Sequence, residues 1–200
     1  ASFEVLAFHV AFNLLTAAVF LPLIGPVAKL VTRMLKARPA VDDRGEPRYL
    51  DNSVIDSPTE AIACATRETL ALGDLVAGML TSSWDVLERN DSALLKAIEA
   101  TDDHVDELHE AIKLYLVKLS KAELSDAESL RYVEILTFVT NLEHIGDIIH
   151  KSLMEVAAKK IRNRLAFSRE GRDELRGFHE RVLTNLRLSF SVFTSHDRAL

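Results

Sequence analysis

The chain is 200 residues long with a formal net charge of -6, 48% hydrophobic residues, seven glycines, five prolines and 6% aromatics. That length supports one domain, or one domain plus an appendage, with ample core, and the composition points to helices. The acidic balance argues against a nucleic-acid binder, and one cysteine, Cys64, excludes an internal disulfide framework and suits a reducing compartment.

The amino-terminal end differs in kind from the rest. From Val5 to Ala28 a run of 24 residues carries no formal charge when His9 is neutral. As a helix it would be about 36 Å long, enough for a hydrocarbon core of about 30 Å. Pro22, Gly25 and Pro26 should kink or end it, so the spanning part is expected to stop near Leu21 and continue along the interface. Lys29, Arg33, Lys36 and Arg38 follow, which by the positive-inside rule puts residues after about 29 in the cytoplasm, behind a plasma (inner) membrane. A signal peptide fits poorly, because the chain starts Ala-Ser-Phe-Glu with no basic leader. The missing initiator Met suggests that residue 1 is an internal position of a longer protein. A buried core helix of a soluble protein is the alternative, since His9, Asn13 and Thr16 are tolerable in either setting.

Residues 37–56, with Pro39, Gly45, Pro47 and alternating charges, read as a linker. Ser57-Pro58-Thr59-Glu60 then has the form of a capping box with Pro at the first helical position, opening a helix from Pro58 to about Glu88. A second helix is expected from Ser92 to Leu119. Ser125 and Glu128 form another capping box, starting a long third helix to about Leu165, and a fourth runs from about Glu170 to Thr194.

Two of these helices carry the same arrangement of metal-ligand types. Asp102, Asp106 and His109 recur in spacing as Glu143, Asp147 and His150. Positions three, four and seven apart share one helix face, so each set projects two carboxylates and an imidazole in one direction. Leu95, Ile98, Asp102, Val105, His109, Ile112, Leu116 and Leu119 form an apolar seam into which Asp102 and His109 intrude. Leu136, Val139, Glu143, Gly146, His150 and Leu153 repeat the rhythm, and Gly146 makes room beside the acids. Unpaired carboxylates buried in a bundle cost several kcal/mol, so a cation, an Arg or a hydrogen-bond network is required, unless the seams rotate and leave these acids at a solvated boundary. The short Ser120–Ser125 connection makes the two helices antiparallel neighbours and brings both motifs to nearly the same depth. Glu68, in line with Leu72, Leu75 and Met79, is a further candidate carboxylate, although the pattern favours a surface acid near the helix start.

Shifted by 106 residues the chain matches itself: Trp84 falls on Phe190, Val86 on Val192, Glu68 on Glu174, and Asp-x-Ala-Leu recurs. One helical unit followed by the start of a second is expected, with the second copy of the Asp102 motif lying beyond Leu200.

The run AFHVAFNLLTAAVFLPLIGPVAKL resembles the last membrane segment of bacterial sodium/phosphate cotransporters, with His9 and Asn13 on that family's pattern, and LEHIGDII resembles the acid-x-x-x-Asp signature of PhoU-type domains. The fold this implies is all-α. Residues 1–36 are the final transmembrane segment, 37–56 a linker, 57–166 a PhoU-like three-helix bundle, and 167–200 the start of a truncated second repeat. The resemblance implies a non-enzymatic protein that imports phosphate with sodium, carrying a cytoplasmic bundle that regulates it or senses phosphate status and contacts a regulatory partner. It implies a multinuclear cluster of iron, zinc or magnesium on Asp102, Asp106, Glu143 and Asp147. Glu68, His109 and His150 are weaker candidates, the histidines lying outside the usual signature. The Gln-Ser-Ser repeats that line the transport site in that family are absent, so this segment cannot itself transport. Two other readings stay open. One is a free-standing PhoU-like phosphate-signalling regulator. The other is a di-metal carboxylate oxidase, for which Asp106-x-x-His109 and Asp147-x-x-His150 imitate Glu-x-x-His pairs.

Overall fold

In the computed structural model the described residues are 2–34 and 46–195. They are helical with no strand among them, so the all-α expectation holds. They divide between two units, residues 1–42 and 43–200.

The first unit is helix α1, Ser2–Met34. Contrary to the expected stop near Leu21, α1 runs through both Pro22 and Pro26. Each proline removes only one amide donor, and its fixed φ near −65° is itself helical, so the turns on either side can keep their bonds. Phe8, Phe12, Leu14, Leu15, Phe20 and Leu21 are all exposed. Asn13 resolves its polarity locally, donating from Nδ2 to the His9 carbonyl at 2.8 Å, and Thr16 does likewise to Phe12.

The second unit contains α2 (Pro58–Arg89), α3 (Ser92–Leu119), α4 (Asp126–Asp147), a π-helix (Ile148–Met154), α5 (Glu155–Arg162) and α6 (Arg169–Ser195). The α4, π and α5 segments follow without a break as one rod. It is the expected third helix, interrupted by a π segment that periodicity did not foresee. It ends at Arg162 and not near Leu165, because Arg164 takes φ 52° and the Leu165 amide bonds back to the Lys160 carbonyl at 3.0 Å, a left-handed cap of the Schellman type.

The turns are locally encoded. Asn90 leaves α2 with φ 56°, and the Asp91 carboxylate caps α3 by accepting from the Ala93 and Leu94 amides at 2.9 and 3.0 Å. Ser125 and Glu128 form the reciprocal box at the start of α4, and Glu128 also accepts from Thr59 Oγ1 at 2.8 Å, tying the starts of α2 and α4 together. The box expected at Ser57 is not made: its side chain makes no cap bond, and its amide already donates to the Val54 carbonyl at 2.9 Å, leaving Glu60 nothing to accept.

Leu72, Met79, Leu108, Ile112, Leu116, Ile135 and Leu142 fill the centre of the bundle. By length and composition α2 is the one described helix able to cross a membrane, yet its apolar face supplies this core; the apolar stretch in α1, Ala7–Leu23, is shorter. The seam on α4 is rotated from the one expected. Ile135, Val139, Leu142, Gly146 and Ile149 are buried, whereas Leu136, Glu143 and His150 lie at its edge. Helix α6 packs on α2 and α4 through Leu186, Phe190 and Phe193. Phe193 stacks on Phe138 at 4.3 Å, and Phe190 presses on Gly73 so closely that a methyl there would sit 3.0 Å from the ring.

Of the expected linker, 37–45 lies outside the described residues, and 46–56 is not a loose tether. A 3-10 turn at Asn52–Val54 is held down by Tyr115 Oη donating to the Asp51 carbonyl and Lys118 donating to Asn52, each at 2.8 Å. Leu50 and Ile55 pack against the core, and the Arg67 guanidinium covers the Tyr49 ring at 4.5 Å.

Candidate metal centre

Asp102, Asp106 and His109 lie along one side of α3, with Glu143 and Asp147 at the end of α4 and His150 in the π-helix. Because α3 and α4 are antiparallel, Asp102 meets Gly146 and His150, while Asp106 meets Glu143 and Asp147. One oxygen from each of Asp106, Glu143 and Asp147 lies within 4.8 Å of the others. Hard divalent and trivalent ions take donors of this kind.

Crowded carboxylates should resist ionisation, and Asp106 does. Its pKa is raised, first by partial burial and then by the charges of Asp102, Asp147 and Glu143, with Lys151 acting in the opposite direction. Lys151, four residues beyond Asp147, pairs with Asp147 Oδ1 at 2.5 Å and has its own pKa raised, chiefly by that bond. An arriving cation would displace this exposed ammonium.

Asp102 is 3% exposed. Its Oδ2 lies 2.5 Å from His150 Nδ1, and its Oδ1 is buried with no protein partner. A methyl on Gly146 would fall 3.1 Å from that same Oδ1, so the glycine provides the space in which the oxygen sits. A buried, unpaired carboxylate oxygen costs several kcal/mol, and a bound cation would remove the cost.

His109 flanks the Glu143 side of the cluster. Burial, then the charge of Lys113, lowers its pKa, and its buried Nε2 has no partner. Glu68 is placed elsewhere. It is 1% exposed, not a surface acid, and its Oε2 accepts from the Tyr49 and Leu50 amides at 2.6 and 3.2 Å, anchoring the segment before α2. His9 and Asn13 lie on α1, in the other unit. Of the six motif residues, the structure thus gathers three carboxylates, pairs Asp102 with His150, and leaves His109 alongside. Sequence reasoning missed Lys151, although its spacing from Asp147 was the signal for it.

Residues 69–156 match the PhoU domain. The matched span begins in α2, contains all of α3, α4 and the π-helix, and ends in the first turn of α5, so every residue of the cluster falls within it. A helical bundle is the fold of that domain. Over 193 residues the chain is 38% identical to the protein of Escherichia coli K12 named "Putative inorganic phosphate export protein YjbB", an alignment covering 96% of this chain and 35% of that protein. The protein of the same name from Salmonella typhimurium LT2 is also 38% identical, with the same coverage. The chain therefore spans about a third of the length of these curated relatives. No solved structure matches it.

Proposed function

We propose that this chain is the PhoU-bearing regulatory part of a membrane protein that moves inorganic phosphate. The observation carrying this reading is the 38% identity over 96% of the chain to proteins named for phosphate export, with the PhoU match coinciding with the bundle. The role is non-enzymatic. In this reading α1 is the last membrane segment of a transport unit in a plasma (inner) membrane, and the bundle is cytoplasmic. Exposed apolar side chains all round α1 support it, because such a surface needs lipid or protein around it. The relatives' name gives export, whereas the resemblance of the first segment implies sodium-driven import. Inorganic phosphate is the cargo in both, and flux measured with and without sodium distinguishes the two directions.

Asp106, Glu143 and Asp147 would hold the metal, with Asp102 behind them. Bound there, a cation supplies positive charge that neutralises the cluster and fastens α3 to the α4–π rod. The three residues converge from two helices, Lys151 occupies the cation's place on Asp147, and Asp102 Oδ1 is buried without a partner. The oxidase alternative is disfavoured by Glu68, whose engagement with two backbone amides takes away the carboxylate that α2 would contribute.

The same reading covers residues 167–200 as the first helix of a second unit. Along α6, Leu175, Phe178, His179, Val182, Asn185, Leu186 and Ser189 line a largely apolar groove of about 790 Å³. Shifted by 106, these seven positions are Thr69, Leu72, Gly73, Val76, Met79, Leu80 and Ser83, every one of them buried in α2. Leu175, Phe178, Val182 and Asn185, which are exposed along this groove, thus match positions that α2 buries inside the bundle.

The test is phosphate flux, in both directions and with and without sodium, in cells expressing the longer protein that contains this chain, together with carbonate extraction of their membranes. Phosphate movement above control cells, altered by Glu143→Gln, is expected. Absent flux, or a protein released by carbonate, would reject the reading.

A further inference from the structure

The buried positions of α4 climb in steps of four and three, from Ile135 through Val139, Leu142 and Gly146 to Ile149. An uninterrupted α-helix would bury Leu153 and Val156 next. Met154 and Ala157 are buried instead, and Val156 is 58% exposed. One residue has been inserted between Ile149 and Met154, and the π-helix Ile148–Met154 is that insertion. Extra residues of this kind concentrate at functional positions, because they re-aim side chains at the cost of regular backbone bonding.

Two side chains of this widened turn stand beside the cluster, Lys151 on Asp147 and, facing Asp102, His150. Its Nδ1 lies 2.5 Å from Asp102 Oδ2 on α3, and a carboxylate cannot donate, so the ring N–H does. Oδ2 is thereby engaged, and Oδ1 is left buried over Gly146 without a partner. Were the pair only a satisfied polar contact in the core, the second oxygen would not be orphaned in the space that a glycine keeps open.

We propose that His150, carried by the π-helix, is a positioning residue that locks Asp102 through Nδ1 so that Oδ1 serves the cation held by Asp106, Glu143 and Asp147. This rests on the metal reading above. It assigns His150 a place behind a ligand and not among the ligands. Groups that orient a metal-binding side chain typically change affinity about 10- to 100-fold when removed.

The experiment is Mn2+ binding to the full chain in detergent micelles, followed by the loss of the free-ion electron paramagnetic resonance signal, with thermal unfolding checking each variant. His150→Phe keeps a ring and loses the donor, and should weaken binding about 10- to 100-fold. His150→Asn, which offers an amide N–H near the Nδ1 position, should recover affinity to within a few-fold of wild type. Asp102→Asn should weaken binding comparably, and adding His150→Phe to it should cost little more, because both changes break one link. Electron spin-echo spectra of loaded wild type should show no directly coordinated nitrogen that His150→Phe removes. Where the Phe variant does not fold, His150→Gln, whose amide is displaced from the Nδ1 position, takes its place. A wild-type chain that binds no Mn2+ overturns the metal reading and this inference with it. Wild type that binds while the Phe or Gln variant binds equally well, or a coordinated nitrogen lost with His150, overturns this inference alone.

Discussion

Replacing Glu143 by Gln should make the metal-free bundle more stable while weakening its response to metal. Without a cation, Glu143 faces Asp106 and Asp147 with acceptor atoms no more than 4.8 Å apart. Two unit charges at that separation repel by about 0.9 kcal/mol in bulk water, so removing Glu143 relieves about 1.7 kcal/mol over two pairs. Screening over a Debye length of about 8 Å reduces this to about 1 kcal/mol. Glutamine has the same shape, so the packing is unchanged, and for a chain of this size about 1 kcal/mol raises Tm by about 2–4 °C. Trp84, the only tryptophan, lies in α2 and reports the bundle in a thermal scan of the full chain in detergent. In EDTA the variant should melt above wild type. With Mn2+ at 100 times its Kd, wild type should gain about 2.7 kcal/mol and overtake it, since the variant has lost a charged donor. A variant that melts lower in EDTA, or one that Mn2+ lifts as much as wild type, would refute the argument that these carboxylates are held together for a cation.

Glu68→Ala should free the segment before α2. The Tyr49 and Leu50 amides lose their acceptor, hydrogen exchange at both should accelerate strongly, and stability should fall by about 1–3 kcal/mol. Gly146→Ala would ordinarily add up to about 1 kcal/mol of helix propensity. Here the methyl meets Asp102 Oδ1 at 3.1 Å and Val105 Cγ1 at 3.3 Å, so calorimetry should show no rise in Tm and Mn2+ binding should weaken. Glu128 has a lowered pKa, from the Ser125 amide first, then the Ser125 and Thr59 hydroxyls. A lowered carboxylate stabilises the fold above its unfolded value near 4.5 and loses that contribution as pH falls through the folded value, so Glu128→Gln should flatten the stability profile below about pH 4.5 in urea titrations. Tyr115 is pushed up to about 12 by burial. A raised phenol is stabilising while protonated and loses that as pH climbs from about 10 towards 12, so Tyr115→Phe should remove a step from alkaline unfolding, and absorbance near 295 nm should show a delayed tyrosine in wild type.

Local signals determined much of this protein by themselves. The limits of α3, the Ser125–Glu128 box and the start of α2 at Pro58 depend on side chains within a few residues of the backbone they serve, so they were legible without a fold. The two acid-x-x-x-Asp-x-x-His sets were legible for the same reason, being a matter of helix periodicity. Tertiary structure decided where each candidate side chain sits and what it meets. Glu68, in line with Leu72, Leu75 and Met79 on α2, has as its partners amides 18 and 19 residues upstream, a distance no helical period encodes. The π-helix turns the rod by one residue, which moves Met154 and Ala157 into the core and brings His150 to Asp102, 48 positions away. That choice is made by the packing of the α4–π rod against α2 and α3, a long-range balance of buried area against backbone regularity that no window of sequence contains.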